Sequence, residues 1–326
     1  MMTKLEPPQI RATTGLELAT GIFAKCSAGL AKQLSISLTS GSRENGLTEF
    51  RIGINGDLYG GMQAPIEVGT RRVDIAYVNP SAVVAMAYLG KGYYREKMHL
   101  RVLGCFPSWD RIALVVSKDL GVKSMRDIAR RKIPLHVSTR FSGVNNATYY
   151  TIETILSLYG LSFDQVKKWG GRVQECGRPF APARMKGLAT RSITAVFDEG
   201  VSTVGGWLDL ALDNGYEIIP IEPEIVKKLE QMGYTRTVLP KRRYPQLKED
   251  ALTIDFSGWA LVTHKWLANN VAYAAAETID EKRKIIPVDD DRPLNMRELC
   301  NGSEKCPLRV PLHPGAAKYY REKGYV

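Results

Sequence analysis

Two hydrophobic periods take turns along this chain of 326 residues. Short runs in which every second residue is apolar, or in which nearly all are, give way to longer stretches with apolar residues three and four apart. The first period is that of a strand and the second that of a helix. "QIRAT" (9–13) predicts a strand, and Thr14-Gly15 closes it before a helical pattern over 17–34. "EFRIGIN" (49–55) alternates as a strand does, Gly60-Gly61 interrupts it, and a helix is predicted to about Arg71. "VDIAYVN" (73–79) reads as a buried strand, followed by an apolar helix that opens at Pro80-Ser81 and runs through Ala87.

The alternation continues to the C-terminus. Strands are predicted at "LRVLGCF" (100–106), "RIALVVS" (111–117), "IPLHVST" (133–139), "RVQEC", "ITAVFDE" and "YEIIPIE". Helices are predicted at "SMRDIARR" and over 144–159, 181–189 and 202–213. "IDFSGWALVTH" (254–264) reads as one extended run, and helical spacing then fills most of 265–285 and 315–323. Repeated strand–helix units predict an α/β fold, with mostly parallel sheets flanked by helices. The length is too great for one small doubly wound domain. Two lobes are therefore expected, the first from 1–115 and 251–326 together and the second inserted at 116–250. Extended crossovers near 110–118 and 252–262 would join them, a connection suited to hinged closure on a ligand.

Composition narrows the picture. Hydrophobic residues make up 44% and charged residues 24%, as in ordinary globular proteins. The chain has no apolar run of about 18 residues, so no membrane-spanning helix or direct membrane insertion is expected. The formal net charge of +11 favours anionic partners. The basic groups at Arg71-Arg72, Arg130-Arg131-Lys132, Lys241-Arg242-Arg243 and Lys282-Arg283-Lys284 are scattered and read as solvated faces and helix ends. No nucleic-acid motif accompanies them, so nucleic acid is not an expected partner.

Of the five cysteines, Cys26 and Cys105 read as buried thiols. Cys300 and Cys306 bracket a turn-rich loop that could close a disulfide in an oxidising compartment. The histidines at 99, 136, 264 and 313 are dispersed, and Asp289-Asp290-Asp291 has no second acidic cluster to complete a cation site, so no metal and no cofactor are expected. Gly-x-Ser-x-Gly, the phosphate-binding Gly-Lys-Ser/Thr loop and His-Glu-x-x-His are all absent from the sequence. No catalytic residue is assigned. The charged, apolar-poor start "MMTKLEPP" is no secretory signal. The sequence as encoded is thus expected to be cytoplasmic, or periplasmic if it is a trimmed export product.

Candidate chemistry falls on the loops at strand C-termini, where open α/β sheets hold ligands. Thr14 and Gly15 follow the first strand, and Asn79 and Ser81 follow "VDIAYV". Ser138, Arg140, Ser142, Gly143 and Asn145 follow "IPLHV". Such loops lead into helix N-termini, whose unpaired N–H groups favour anions, and Arg140 adds a guanidinium shaped for a carboxylate. Tyr77, Trp109, Phe197 and Trp259 are candidate walls, and Arg111 is the second candidate cation. Each residue taken alone is as readily a cap, a turn or core.

The chain resembles the TAXI group of TRAP-transporter solute-binding proteins, within the type II periplasmic-binding-protein superfamily. The likeness is carried by "IRATTG", "VGTRRVDIAYVNPSA", "YYTIETILSLYGLSFDQV", "ITAVFDEG" and, most specifically, the ending "VPLHPGAAKYYREKG". The resemblance implies a Venus-flytrap receptor that closes over a small organic anion such as a dicarboxylate, oxoacid or acidic amino acid, without chemistry. It also implies TRAP membrane subunits as partners and a ligand-side glycine at Gly200. The same fold serves cytoplasmic decarboxylase- or lyase-like enzymes and sensors, which is the alternative reading. His313 could be a base, a metal ligand or a helix start. Followed by Pro-Gly-Ala, it is expected to start a helix that packs the C-terminus onto the first lobe.

Overall fold

The computed structural model describes residues 9–13, 49–53, 61–142, 146–284, 286 and 292–326, the first two stretches as backbone alone. The readings at Thr14, Gly15, Cys26, Gly143, Asn145 and Asp289–Asp291 therefore lie outside the described residues. The chain forms two compact units, one from the residues up to Trp109 together with Ser257–Val326, the other from Asp110–Phe256. The divisions fall at 109/110 and 256/257, where the sequence pattern suggested 115/116 and 250/251.

The first unit begins with β1 (Gln9–Thr13), β2 (Glu49–Gly53), α1 (Ala64–Gly69), β3 (Ile75–Val78), α2 (Ser81–Leu89) and β4 (Leu100–Phe106). The second unit follows with β5 (Ala113–Ser117), α3 (Met125–Arg131), β6 (His136–Arg140), α4 (Ala147–Leu158), α5 (Phe163–Lys168) and β7 (Arg172–Cys176). It continues through α6 (Pro182–Ala189), β8 (Ala195–Asp198), α7 (Trp207–Asp213), β9 (Tyr216–Ile219), α8 (Pro223–Met232), β10 (Arg236–Leu239) and β11 (Ala251–Ile254). The chain then returns to the first unit with β12 (Trp259–His264), α9 (Asn269–Lys282), α10 (Met296–Asn301) and α11 (Pro314–Glu322).

Local chemistry explains many of these boundaries. Ser124 and Asp127 form a reciprocal capping box at the start of α3. Asn146 and Ser162 cap α4 and α5 through their side chains. Helix α8 starts on Pro223, buries Ile225, Val226 and Leu229 on one stripe, and stops at Gly233 with φ of 109°. It went unassigned in the sequence although each of those signals is local. "IDFSGWALVTH" is two strands rather than one run: β11 ends at Ile254, and Gly258, with φ of 82°, turns the chain into β12.

Each unit holds a five-stranded sheet, ordered β2-β1-β3-β12-β4 in one and β7-β6-β8-β5-β9 in the other. In both, the second strand edges the first, the third lies on its other side, and a reversed strand sits between third and fourth. Thus β12 runs antiparallel to β3 and β4, and β5 runs antiparallel to β8 and β9. The expected mostly parallel sheets are mixed for a topological reason. The reversed strands are those through which the chain enters the second unit and re-enters the first. A two-stranded ladder of β10 and β11 completes the second unit.

The C-terminus packs into the first unit's core. His313 is the N-cap of α11, its Nδ1 accepting the Gly315 N–H at 3.2 Å. Burial holds the imidazole below its ordinary pKa, which keeps that nitrogen an acceptor. Gly315 is there for space: a Cβ would lie 2.1 Å from the Asn269 carbonyl oxygen at the start of α9. Tyr320 donates to the Leu103 carbonyl at 2.7 Å, and Tyr319 and Tyr325 both donate to the buried Asp280 carboxylate. Tyr319 and Tyr320 lie in one apolar cluster with Leu103, Leu261, Ala272, Ala276, Ile279 and Leu299. Cys300 and Cys306 are buried and in no disulfide. Burial pushes the Cys300 thiol up to about 11, and it donates to the Met296 carbonyl.

Candidate functional site

The segments that leave and re-enter the first unit pair with each other. In the second unit, Phe256 N–H donates to the Asp110 carbonyl, Arg111 bridges Asp255, and the Thr253 hydroxyl donates to the Ile112 carbonyl. In the first unit, Gly258 N–H donates to the Ser108 carbonyl. Arg111 belongs to this ladder. Its guanidinium is 1% exposed and meets Asp255 Oδ1 at 2.5 Å and the Asp110 carbonyl at 2.7 Å. The sequence offered Arg111 as a ligand cation; the fold makes it the buried half of an ion pair in the crossing ladder.

Arg140 ends β6 and is redirected in the same way. It was expected to face a ligand carboxylate. Instead its Nε meets Asp198 at 3.2 Å, its Nη1 donates to the Gly177 carbonyl at 3.0 Å, and its Nη2 contacts Glu199. Asp198 ends β8, which pairs in parallel with β6 and so brings the two strand ends together. On its other side Asp198 contacts Arg184 of α6, a fully buried guanidinium. Arg184 also donates to Ser138 Oγ at 3.0 Å and to the Pro179 carbonyl at 3.1 Å, and it lies over the Trp207 ring. Two guanidiniums and two carboxylates thus sum to zero charge, which is how a buried ionic group is tolerated.

The loop after β8 is held by a further carboxylate. Asp110 accepts N–H groups from Gly200 at 2.9 Å, from Val201 at 3.0 Å and from Arg111 at 2.7 Å. Gly200 has φ of 77°, and a Cβ there would lie 2.4 Å from Pro179 Cγ, so the position needs glycine on both counts. Burial raises the Asp110 carboxyl to about 6; the three N–H bonds oppose that rise, and the nearby Asp198 adds to it. From below, Tyr244 OH donates to the Val201 carbonyl at 2.7 Å and the Arg243 guanidinium contacts the Ser202 carbonyl. Arg243 therefore braces this loop, in a basic group that the sequence suggested was solvated.

The remaining candidates divide between the units. In the second unit, Ser142 gives its N–H and hydroxyl to Glu175 at 3.0 and 2.9 Å. Phe197 is core, its carbonyl accepting from Thr139. In the first unit, Asn79 and Ser81 donate to the carbonyls of Gly258 and Ser257, pinning the returning chain. Tyr77 is buried and meets Phe106 edge-on at 5.4 Å, Trp259 packs on the same core, and Trp109 donates to Glu304 at 2.9 Å.

The side chains open to solvent at the second unit's strand ends are mixed, with Ser142, Glu175 and Thr203 among them. Phe141 follows β6, Phe180 follows β7 and Val204 follows β8, and all three are exposed, as is Arg178 beside Phe180. Sequence reasoning did not single out Asp110, Glu175, Arg178, Phe180, Arg184 or Asp198 as site residues. The available signal was position, since all but Asp110 and Arg184 sit at or just beyond the C-terminal ends of β7 and β8. Among the described residues no group of three His, Cys, Asp or Glu side chains could hold a metal ion. A cavity of about 430 Å³ opens between α9 and the start of α11, lined by Tyr273, Glu277 and Lys318 and by none of the ligand candidates.

A family model described as "NMT1-like family" matches residues 58–324. Among solved structures, the chain is similar to XAC2383 from Xanthomonas citri bound to chloride ion, at 12% identity and a TM-score of 0.47, covering 98% of this chain and 99% of that one. PhnD1 from Prochlorococcus marinus (MIT 9301) in complex with methylphosphonate gives 10% identity and 0.41, with 98% and 99% covered. The alkanesulfonate-binding protein SsuA from Xanthomonas axonopodis pv. citri bound to MOPS gives 12% and 0.35, with 86% and 76% covered.

Proposed function

The chain belongs to the NMT1-like family, and on that premise we propose that it is a solute-binding receptor of the type II periplasmic-binding-protein kind, holding a small organic solute without transforming it. One observation carries the reading. At the C-terminal ends of β6, β7 and β8, three loops are fixed by buried ion pairs and carboxylate-to-N–H bonds, yet they turn Phe141, Phe180 and Val204 outward. A rigid scaffold with an unsatisfied apolar face, at the sheet edge where open α/β folds take their ligands, suits binding by preformed surface. The resemblance of the ending "VPLHPGAAKYYREKG" to the TAXI group supports membrane subunits of a TRAP transporter as the partners.

Thermal unfolding with a panel of carboxylates, sulfonates and phosphonates tests the receptor reading, with product analysis on the same samples. A solute at 100 times its Kd adds about 2.7 kcal/mol, a shift of several degrees in Tm. A panel in which nothing stabilises the protein would count against a receptor. Conversion of a stabilising compound into product would replace it with an enzyme on the same fold.

A further inference from the structure

At one end of the first unit's sheet β3 and β4 begin and the antiparallel β12 stops, with Ile75 opposite Thr263 and Leu100 opposite His264. Separate segments of the chain meet there. Lys265 N–H donates to the His99 carbonyl at 2.9 Å, which joins the residues after β12 to those before β4. A Cβ on Gly69 would lie 2.9 Å from Met98 Sδ, so the chain leaving α1 runs beside the same stretch. A Cβ on Gly90 would lie 2.6 Å from the Lys97 backbone nitrogen, so the chain leaving α2 folds back onto it.

Side chains from these segments touch at Trp266. Arg71 Cζ and Lys265 Nζ lie over its ring, 5.8 and 4.8 Å from the centroid, and His99 meets it edge-on at 5.3 Å. A tryptophan can bury about 150–250 Å² in a core, yet this one is 48% exposed. The adjoining 89–97 loop adds exposed Lys91, Arg95 and Lys97, and its Leu89 and Tyr93 are 42% and 40% exposed. Within 70–72, 89–99 and 265–266 the single carboxylate is Glu96, and Arg72 is paired with the buried Glu67 at 2.6 Å. Exposed apolar side chains taken singly are ordinary. Here they share one end of the sheet with an excess of positive charge.

That combination suits a fluid, negatively charged layer. Lipid headgroups attract Lys and Arg without requiring a fixed geometry, and the boundary between headgroups and acyl chains takes up indole and phenol rings. A nucleic-acid base would gain by stacking on Trp266, but Arg71 and Lys265 already lie over that ring. We propose that this end of the first unit is a docking surface for an anionic lipid bilayer, with Trp266 seated among the headgroups and Arg71, Lys97 and Lys265 on their phosphates.

Flotation of the full chain with lipid vesicles tests it. Equal parts of phosphatidylcholine and phosphatidylglycerol should carry the protein, phosphatidylcholine alone should not, and added salt should release it. Lys97→Gln and Lys265→Gln should each weaken binding by roughly fivefold. Arg242→Gln, an equal loss of charge on the second unit, should leave it unchanged. Vesicles with brominated acyl chains should quench the protein's tryptophan fluorescence on binding, and Trp266→Phe should remove that quenching. The substituted side chains are exposed, so folding should survive, and circular dichroism verifies that it does. Failure to float with the mixed vesicles, binding unmoved by Lys97→Gln and Lys265→Gln, or quenching that persists in Trp266→Phe would each overturn the proposal. Binding of polyglutamate or duplex DNA in place of vesicles, weakened by the same variants, would overturn it in favour of an acidic polypeptide or a nucleic acid.

Discussion

Asp198→Asn isolates the interaction on which the second unit's strand ends depend. The carboxylate is fully buried, meets Arg140 Nε at 3.2 Å, accepts the Glu199 N–H at 2.8 Å and pairs with Arg184. The amide keeps the volume and one acceptor but removes the charge. Arg140 retains Glu199. Arg184 retains only neutral acceptors, Ser138 Oγ and the Pro179 carbonyl, and it is fully buried. Removing one partner of a buried pair leaves an uncompensated charge and costs about 3–5 kcal/mol. With a urea m-value of about 2 kcal/mol/M, the midpoint should fall by roughly 2 M. Urea titration followed by circular dichroism measures it, and the control is the double variant Asp198→Asn with Arg184→Met. Removing both charges should restore much of the loss, so the two substitutions should be non-additive by more than 1 kcal/mol, as coupled neighbours are. A single variant within about 1 kcal/mol of the parent, or strict additivity in the cycle, would refute the claim that this pair is desolvated and mutually dependent.

Three further predictions concern separate parts of the fold. Asp110 titrates near 6 when folded against 3.8 when exposed. The folded state therefore binds the extra proton in that window, and the destabilisation from this group grows as pH rises through it, reaching about 3 kcal/mol. Asp110→Asn should flatten the dependence of the urea midpoint between about pH 4 and 6, and an unchanged slope would contradict the assignment. Gly315→Ala places a methyl 2.1 Å from the Asn269 carbonyl oxygen. It should separate α11 from α9 at a cost of about 1–3 kcal/mol, read as a lower Tm, and a neutral result would show that the helix start is slack. Cys300 and Cys306 are buried and in no disulfide, so peptide mapping should find them alkylated after denaturation without reductant and protected before it; a mass lower by one disulfide would contradict this.

The sequence by itself determined the elements and many of their ends. "ALVVS" and "IAYV" are strands because every residue in them is apolar or small enough to be buried. Ser124, Ser162 and His313 start helices through contacts only two or three residues away. Such interactions are complete within a few positions, so a linear reading contains them. The α/β class and a C-terminal helix packed on the first unit were legible for the same reason. The direction of β5 and β12 was not, because a strand's apolar pattern reads the same whichever way its neighbours run. The roles of the arginines were not legible either. Arg140 ends β6 and Arg111 precedes β5, and the sequence offered both as ligand-binding cations. Their partners Asp198 and Asp255 lie 58 and 144 residues away and are met only when β6 pairs with β8 and the crossing segments pair with each other. A buried charge must be neutralised where it lies, and only the tertiary structure decided which carboxylate would do it.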